Sequence, residues 1–239
     1  MFSVVPFVVF IGIALSPVVY GQDPDESSSS DKEERGRRIW IIATSLPDGI
    51  ESPVTILAGG KLSEVRLSKR SVGTAIKVPK DGLVQVVNPV VSEDGVTTYE
   101  SLASIMIPEG IRESLGILTP SPNLQPPLKF ASKVVDLDKF RGGSSLFVNL
   151  TNLEIGVALG SKRKAIKAGQ IEIIDVGDFE GAKSVAVSYH YRLPKKEDWS
   201  LISASTVPLR STLREILIFS YNPELGQIGY HGMSFHAGE

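Results

Sequence analysis

No segment of this chain carries a convincing helical pattern, and that limits the folds that are open to it. An amphipathic helix repeats apolar residues at spacings of three and four over roughly a dozen residues, whereas a strand alternates or runs apolar for about four to eight. The apolar segments here are short, and glycine, proline, aspartate and asparagine separate them. We therefore predict an all-β protein, with at most one helical turn, at 111–115.

Turn residues mark where the predicted strands begin and end. Gly59-Gly60 is typical of a two-residue hairpin, and 222–226 of a tight turn. We expect 200–207 and 215–221 to be hairpin partners. The predicted strands are 39–44, 54–57, 62–67, 74–78, 83–87, 97–107, 115–118, 133–137, 146–150, 155–159, 171–176, 185–191, 200–207, 215–221 and 227–233.

A proline-rich segment, 119–128, divides these strands into two groups. Its four prolines cannot donate to a β-ladder and favour a stiff, extended connection. We predict two tandem immunoglobulin-like (Greek-key) β-sandwich units, 39–118 and 129–239, with one larger β-sandwich or barrel as the alternative. In both groups a strand ends in a small-residue turn with basic residues after it, at 54–61 and 157–162. This shared pattern favours an internal duplication.

The N-terminal residues predict export from the cytoplasm. Residues 1–20 carry no charged side chain, and their apolar run has the length of a signal-peptide core. We predict a signal peptide, 1–21, that is cleaved after Gly21, and a location in the periplasm, on the cell surface or outside the cell. The alternative is an uncleaved anchor, the one case in which we expect a membrane partner.

A charged, serine-rich segment follows the predicted signal peptide. Residues 22–38 include no aliphatic or aromatic side chain, so we predict a disordered linker. The linker holds six acidic and four basic residues, which accounts for the net charge of −2. From Ile39 onward there are 21 acidic and 21 basic residues. We predict no nucleic-acid partner, because such binding needs clustered positive charge.

The chain has no cysteine. This excludes disulfides, thiolate metal sites, cysteine catalysis and a lipoprotein signal. Small exported animal domains commonly depend on disulfides, so the sequence favours a bacterial source. The sequon Asn149-Leu150-Thr151 lies in an apolar, strand-like run and is weak support for glycosylation.

Catalytic patterns are absent from the sequence. His190, His231 and His236 do not have the spacing of metal ligands on one helix face. The segment 142–145, Gly-Gly-Ser-Ser, precedes a strand and is not a nucleophile elbow between a strand and a helix. We predict no catalytic residue, no cofactor, no metal and no enzymatic activity.

Two groups of residues are candidates for a ligand surface. The first is a basic cluster on a predicted hairpin, which could meet an anionic polymer or headgroup or could simply be solvated. The second is a set of aromatic residues on the last strands, which could form a platform for sugar rings or a peptide, or could be core. The candidate ligand residues are Trp199, Tyr189, Tyr191, Tyr221, Lys162, Arg163 and Lys164.

Three functions are compatible with these patterns. The leading hypothesis is an exported, non-catalytic β-sandwich protein that binds or scaffolds an envelope protein or glycan at the bacterial cell envelope. The second is a structural or assembly subunit that associates through sheet edges. The third is a polysaccharide hydrolase, which requires two carboxylates that face each other in a groove.

Overall fold

Short apolar and alternating segments fold into β-strands along the described chain, which comprises residues 36–68, 70–222 and 225–236 of a computed structural model. The all-β prediction is confirmed, and one turn of 3₁₀ helix, Leu137–Lys139, separates β8 from β9. The helical turn expected at 111–115 is wrong, because β7 begins at Glu113. The strands are β1 (Arg38–Ala43), β2 (Val54–Ala58), β3 (Lys61–Val65), β4 (Ile76–Lys77), β5 (Leu83–Val91), β6 (Thr97–Met106), β7 (Glu113–Pro120), β8 (Phe130–Asp136), β9 (Ser145–Asn149), β10 (Glu154–Leu159), β11 (Lys162–Ile166), β12 (Ile171–Ile174), β13 (Ala182–Arg192), β14 (Trp199–Arg210), β15 (Leu213–Asn222) and β16 (Gln227–His236).

The strands of the described residues form four sheets of four strands each. Sheet A has the order β4-β1-β7-β8, and sheet B has the order β3-β2-β5-β6. Sheet C has the order β12-β9-β15-β16, and sheet D has the order β11-β10-β13-β14. The first half of the fold, β1 to β8, therefore builds sheets A and B, and the second half, β9 to β16, builds sheets C and D.

The second half repeats the strand order of the first. Sheet C has the order of sheet A, and sheet D the order of sheet B, when each strand number is raised by eight. β1 pairs with β7 in parallel, as β9 does with β15. The register shifts at equivalent places, between Val86 and Val87 in β5 and between Tyr189 and His190 in β13. These shared details support the predicted duplication.

The glycine turn at 59–60 is a two-residue hairpin, as predicted. Ala58 pairs with Lys61, and both glycines have positive φ, which a type I′ turn requires. At the equivalent place in the second half, Leu159 pairs with Lys162 around Gly160. The turn chemistry therefore sets the register of both hairpins.

The proline-rich segment does not separate two sandwiches. β7 extends through Pro120, and β8 pairs with β7 in sheet A. The segment predicted as a connector, 119–128, therefore ends one strand and enters the loop to its neighbour. A proline removes only the N–H donor of its own residue, so clustered prolines can occur at a strand end and in a loop within a sheet as well as in a linker. The chain passes from the first half to the second at 137–144.

Two expectations about strand pairing are also wrong. The segments 200–207 and 215–221 lie in different sheets, because β14 pairs with β13, whereas β15 pairs with β9 and β16. In a constant-type immunoglobulin sandwich the first strand shares a sheet with the second, fifth and fourth strands. Here β1 lies between β4 and β7. The structure therefore supports an all-β fold of packed sheets, without the immunoglobulin-like strand order.

Alternation along β1 gives sheet A two apolar faces. Ile39, Ile41 and Ala43 pack into the core between sheets A and B. Trp40 and Ile42 pack into a second core, together with residues of sheet C. Sheet A is therefore buried from both sides.

Sheet C is buried from both sides in the same way. Leu146 and Val148 of β9 face sheet A, and Phe147 between them faces a third core, which sheet C shares with sheet D. The sheets thus stack in the order B, A, C, D. Only the outer faces of B and D, and the ends and edges of the stack, are left for polar surfaces.

A buried arginine anchors the segment that joins the two halves. Arg214 of β15 is only 6% exposed. Its guanidinium donates to the carbonyls of Leu137 and Phe140 in that segment, and to the carbonyl of His236 at 3.4 Å. Burial lowers the pKa of Arg214. The charge is retained in the interior because backbone carbonyls replace water around it.

The sequon asparagine is part of the interior. Asn149 is fully buried, and its amide nitrogen donates to the carbonyls of Leu153 and Ile166 at 2.8 and 2.9 Å. Its side-chain oxygen accepts from the backbone and the hydroxyl of Thr151 at 2.9 and 2.7 Å. The hydrogen-bonding capacity of this amide is fully used, so the folded chain offers no free amide for a glycan.

The fold begins slightly earlier than the sequence predicts. Arg38 is the first residue of β1, and Arg37 donates to three backbone carbonyls in the loop between β6 and β7. Both residues were assigned to the linker at 22–38. The predicted signal peptide, 1–21, and the linker up to residue 35 lie outside the described residues. No helix in the described part of the chain is long and apolar enough to span a bilayer.

Replacing Arg214 tests its anchoring role. Arg214→Met keeps an unbranched apolar stem but removes the side-chain donors to the carbonyls of Leu137 and Phe140, of which only that of Leu137 keeps a second donor among the described residues, the backbone N–H of Phe140. We expect the free energy of unfolding in urea to fall by about 2–4 kcal/mol. Arg210→Met is the control, because Arg210 is exposed at the end of β14, and it should change stability by less than about 0.5 kcal/mol. Equal effects of the two substitutions would contradict the assignment.

Candidate functional site

A groove crosses the outer face of sheet D. β10 directs Ile155, Val157 and Leu159 into the core, so the intervening Gly156 and Ala158 lie on the outer face. These two residues have little or no side chain, and they leave a depression between the neighbouring strands. The groove has a volume of about 530 Å³ and is lined by Gly156, Val157, Ala158, Arg163, Lys164, Ala165, Ser188, His190 and Trp199.

The indole of Trp199 reaches Gly156 across one intervening strand. Trp199 of β14 pairs with Arg192 of β13, and Gly156 lies in β10, on the far side of β13. A Cβ atom on Gly156 would come within 2.8 Å of the indole, closer than such atoms approach without displacement. The glycine therefore provides the space in which the ring lies. The Trp199 side chain stays 38% exposed.

Arg192 contacts the indole of Trp199 from β13, the strand between β10 and β14. The guanidinium carbon of Arg192 lies 4.8 Å from the centroid of the Trp199 ring. Its Nε donates to Oε2 of Glu154 at 2.9 Å, and its Nη2 donates to the same oxygen. A cation–π contact and a charge-assisted ion pair thus fix the ring in place. A ring that is already ordered loses little entropy when it binds a ligand.

The groove offers positive charge and no negative charge. Arg163 is exposed and makes no ion pair with the described residues. Lys164 lies 3.6 Å from Glu172 of β12, an exposed and therefore weak pair. No aspartate or glutamate lines the groove. The lining thus presents an available guanidinium close to a fixed aromatic ring.

His190 and Ser188 supply neutral hydrogen-bonding groups on β13. Nε2 of His190 lies 3.1 Å from Oγ of Ser188. Such groups can bind the hydroxyls or carboxylates of a ligand. A Ser–His pair that acts as nucleophile and base needs a third group that orients the imidazole. The lining residues include no carboxylate for that purpose.

Three of the predicted ligand residues line this groove, namely Trp199, Arg163 and Lys164. Lys162 lies at the start of the same strand, β11, and does not line it. The first half has a lysine, Lys61, at the equivalent hairpin position. Lys162 is therefore a feature of the hairpin that both halves share.

The predicted tyrosines lie elsewhere. Tyr189 is 4% exposed, and its ring centroid lies 5.2 Å from Phe219 and 4.8 Å from Tyr230. Burial raises the pKa of Tyr189. Tyr191 packs against the same core, between sheets C and D, whereas Tyr221 is exposed beside a second pocket. For Tyr189 and Tyr191 the correct alternative was therefore the core.

Sheet B serves as an internal reference for the groove. Both halves share strand order, hairpin register and bulge, so any feature that the fold itself requires should occur in both. The residues that form the groove of sheet D have different counterparts in sheet B. By strand pairing, the equivalent residues are Thr55 and Gly156, Leu57 and Ala158, Leu62 and Arg163, Val87 and His190, Pro89 and Arg192, and Tyr99 and Trp199.

The floor of the groove was not predicted from the sequence. The floor is formed by Gly156, Ala158 and Ala165. These residues carry no functional group, and their small size leaves room for a ligand. The available signal was the alternation at 154–159, where small residues occupy the face opposite to the apolar ones. His190 was considered only as a metal ligand in the sequence and was assigned no part in a ligand surface.

No protein-family model matches the chain, and a search of curated proteins found no match. Within the described residues there is no group of three or more His, Asp or Glu side chains that could hold a metal ion. Function is therefore inferred from the groove itself.

Adding a methyl group at Gly156 tests the position of the indole. Gly156→Ala places a carbon where the Trp199 ring now lies, so the ring must move. With 5-fluorotryptophan incorporated, we expect the fluorine resonance of Trp199 to shift while that of Trp40, buried between sheets A and C, stays in place. Gly229→Ala is the control, because nothing lies within 4 Å of a Cβ there. An unchanged Trp199 resonance in Gly156→Ala would refute the contact.

Proposed function

We propose that this protein is an exported, non-catalytic binding module of the bacterial cell envelope, and that its groove on sheet D binds an anionic glycan. The observation that carries this proposal is the exposed, ordered indole of Trp199, which lies against Gly156 in a groove that also presents Arg163. We further propose that the two halves are tandem β-sandwich units related by duplication, and that the groove is a property of the second.

The groove combines the two groups that an acidic sugar requires. The apolar face of a sugar ring packs on an aromatic side chain, and indole offers the largest such surface. A guanidinium binds a carboxylate or sulfate through two parallel hydrogen bonds. His190 and Ser188 add partners for hydroxyl groups. The absence of acidic residues from the lining favours an anionic ligand over a neutral or cationic one.

The export part of the proposal rests on the sequence. The uncharged N-terminal segment, 1–20, and the acidic, serine-rich segment after it are typical of a secreted chain with a linker. The lack of cysteine favours a bacterial envelope over an animal secretory pathway. Anionic polysaccharides are abundant partners for a protein in that location.

The hydrolase hypothesis gains no support from the groove. Glycoside hydrolysis commonly uses two carboxylates about 5–10 Å apart on either side of the scissile bond. Glu154, which lies on the same face of β10 as Gly156, is ion-paired with Arg192 and does not line the groove. The groove is thus equipped to bind a sugar and has no acid–base pair with which to cleave it.

Binding of a uronate polymer tests the proposal. We expect polygalacturonate to bind the purified protein in isothermal titration calorimetry, and neutral dextran to bind far more weakly. Trp199→Ala should weaken binding by about tenfold or more, because the stacking surface is lost. Arg163→Gln should weaken it by about fivefold or more and reduce its dependence on salt.

The first half provides the matched control. Tyr99 occupies the position in sheet B that Trp199 occupies in sheet D, and it is 43% exposed. Tyr99→Ala should leave the affinity unchanged. Equal affinity for dextran, no binding of either polymer, or an equal loss in Tyr99→Ala and Trp199→Ala would refute the assignment of the groove.

Assembly through a sheet edge is the second candidate function, and β14 favours it. This strand has 12 residues and is the outer strand of sheet D. An edge of that length can accept a strand from another chain. The mass measured by light scattering would then rise with protein concentration, whereas a constant monomer mass would exclude this candidate.

A further inference from the structure

One end of the contact between sheets A and C is polar. Trp40 and Ile42 of β1 face sheet C, and the same alternation places Thr44 next on that face. On sheet C, Ser220 follows Ile218 on the face toward sheet A. Because an apolar residue would extend the core at either position, these hydroxyls are not explained by packing.

These residues border a pocket to which both halves of the fold contribute. It has a volume of about 630 Å³, within the range of small-molecule sites. Ser45 and Arg70 come from the first half, and His231 from β16 of the second. The full lining is Thr44, Ser45, Arg70, Leu150, Ile218, Ser220, Tyr221, His231 and Gly232.

The lining is rich in hydrogen-bond donors and lacks carboxylates. Arg70 provides a guanidinium, and Ser45 and Ser220 provide hydroxyls that can donate. No aspartate or glutamate is present among the lining residues. A set of donors around one cation is complementary to an oxyanion, which accepts hydrogen bonds through every oxygen.

Thr44 gives an independent reason to expect a polar occupant. The residue is 5% exposed, and its hydroxyl is buried without a hydrogen bond to the described residues. A buried hydroxyl without a partner destabilises a fold relative to an apolar group of the same shape. Valine has that shape, so threonine at this position lowers the stability of the unliganded protein relative to valine.

We propose that this pocket binds a small ligand with a phosphate or carboxylate group, which Arg70 holds together with the hydroxyls of Thr44, Ser45 and Ser220. The site is separate from the groove on sheet D and shares no residue with it. Because sheets A and C both contribute, the ligand also binds the two halves to each other.

Titration with inorganic phosphate and with acetate tests the site. Calorimetry at constant ionic strength, with chloride replaced by each anion in turn, should show one saturable site per chain for at least one of them. Arg70→Gln should weaken its binding by about tenfold or more, since a charge-assisted bond is lost. Arg112→Gln is the control, because Arg112 is exposed and precedes β7, at the opposite end of that sheet from Thr44.

Thr44→Val separates a ligand-binding role from a structural one. The substitution should lower the affinity for the anion. It should leave the unliganded protein at least as stable as the parent, because the unpartnered hydroxyl is removed. The proposal is overturned if neither anion binds, if Arg112→Gln weakens binding as much as Arg70→Gln, or if Thr44→Val destabilises the free protein without changing affinity. Loss of glycan binding in Trp199→Ala bears on the groove alone.

Discussion

The packing of sheet A against sheet C is the contact on which the rest of the molecule depends. Each of these sheets has a second partner, so its central strands must be apolar on both faces. Trp40 and Ile42 face one core while Ile39 and Ile41 face another. Chemistry is thereby confined to the outer faces of sheets B and D and to the ends of the stack, where the groove and the polar pocket lie.

Because the second half repeats the strand order of the first, equivalent positions in the two halves can be compared directly. Val86 and Tyr189 occupy equivalent positions beside equivalent bulges, and both are buried. The outer faces above them have diverged. Leucine stands in sheet B where Arg163 stands in sheet D, and threonine stands where Gly156 makes room for the indole. The shared framework supports the fold, and the proposed glycan site lies where the two halves differ.

Most of the strands and three groove residues could be predicted, because period-two alternation and turn chemistry are local signals. β11 was not among the predicted strands. The connection at 119–128 was misassigned, since a proline shows where a backbone donor is missing and not which strands a loop joins. The true junction depends on Arg214, whose partners are distant in sequence. Alternation placed Tyr189 on one face of its strand without indicating which face was inward. Gly156 was missed because it carries no functional group, and the alternation at 154–159 was interpreted only as a strand.

Hydrogen exchange followed by mass spectrometry tests the packing of sheets A and C most directly. If this contact couples the halves, the amides of β1 and β7 should exchange at the same slow rate as those of β9 and β15. The outer strands β3, β6, β11 and β14 should exchange faster. Complete exchange of one half while the other remains protected would contradict the shared core.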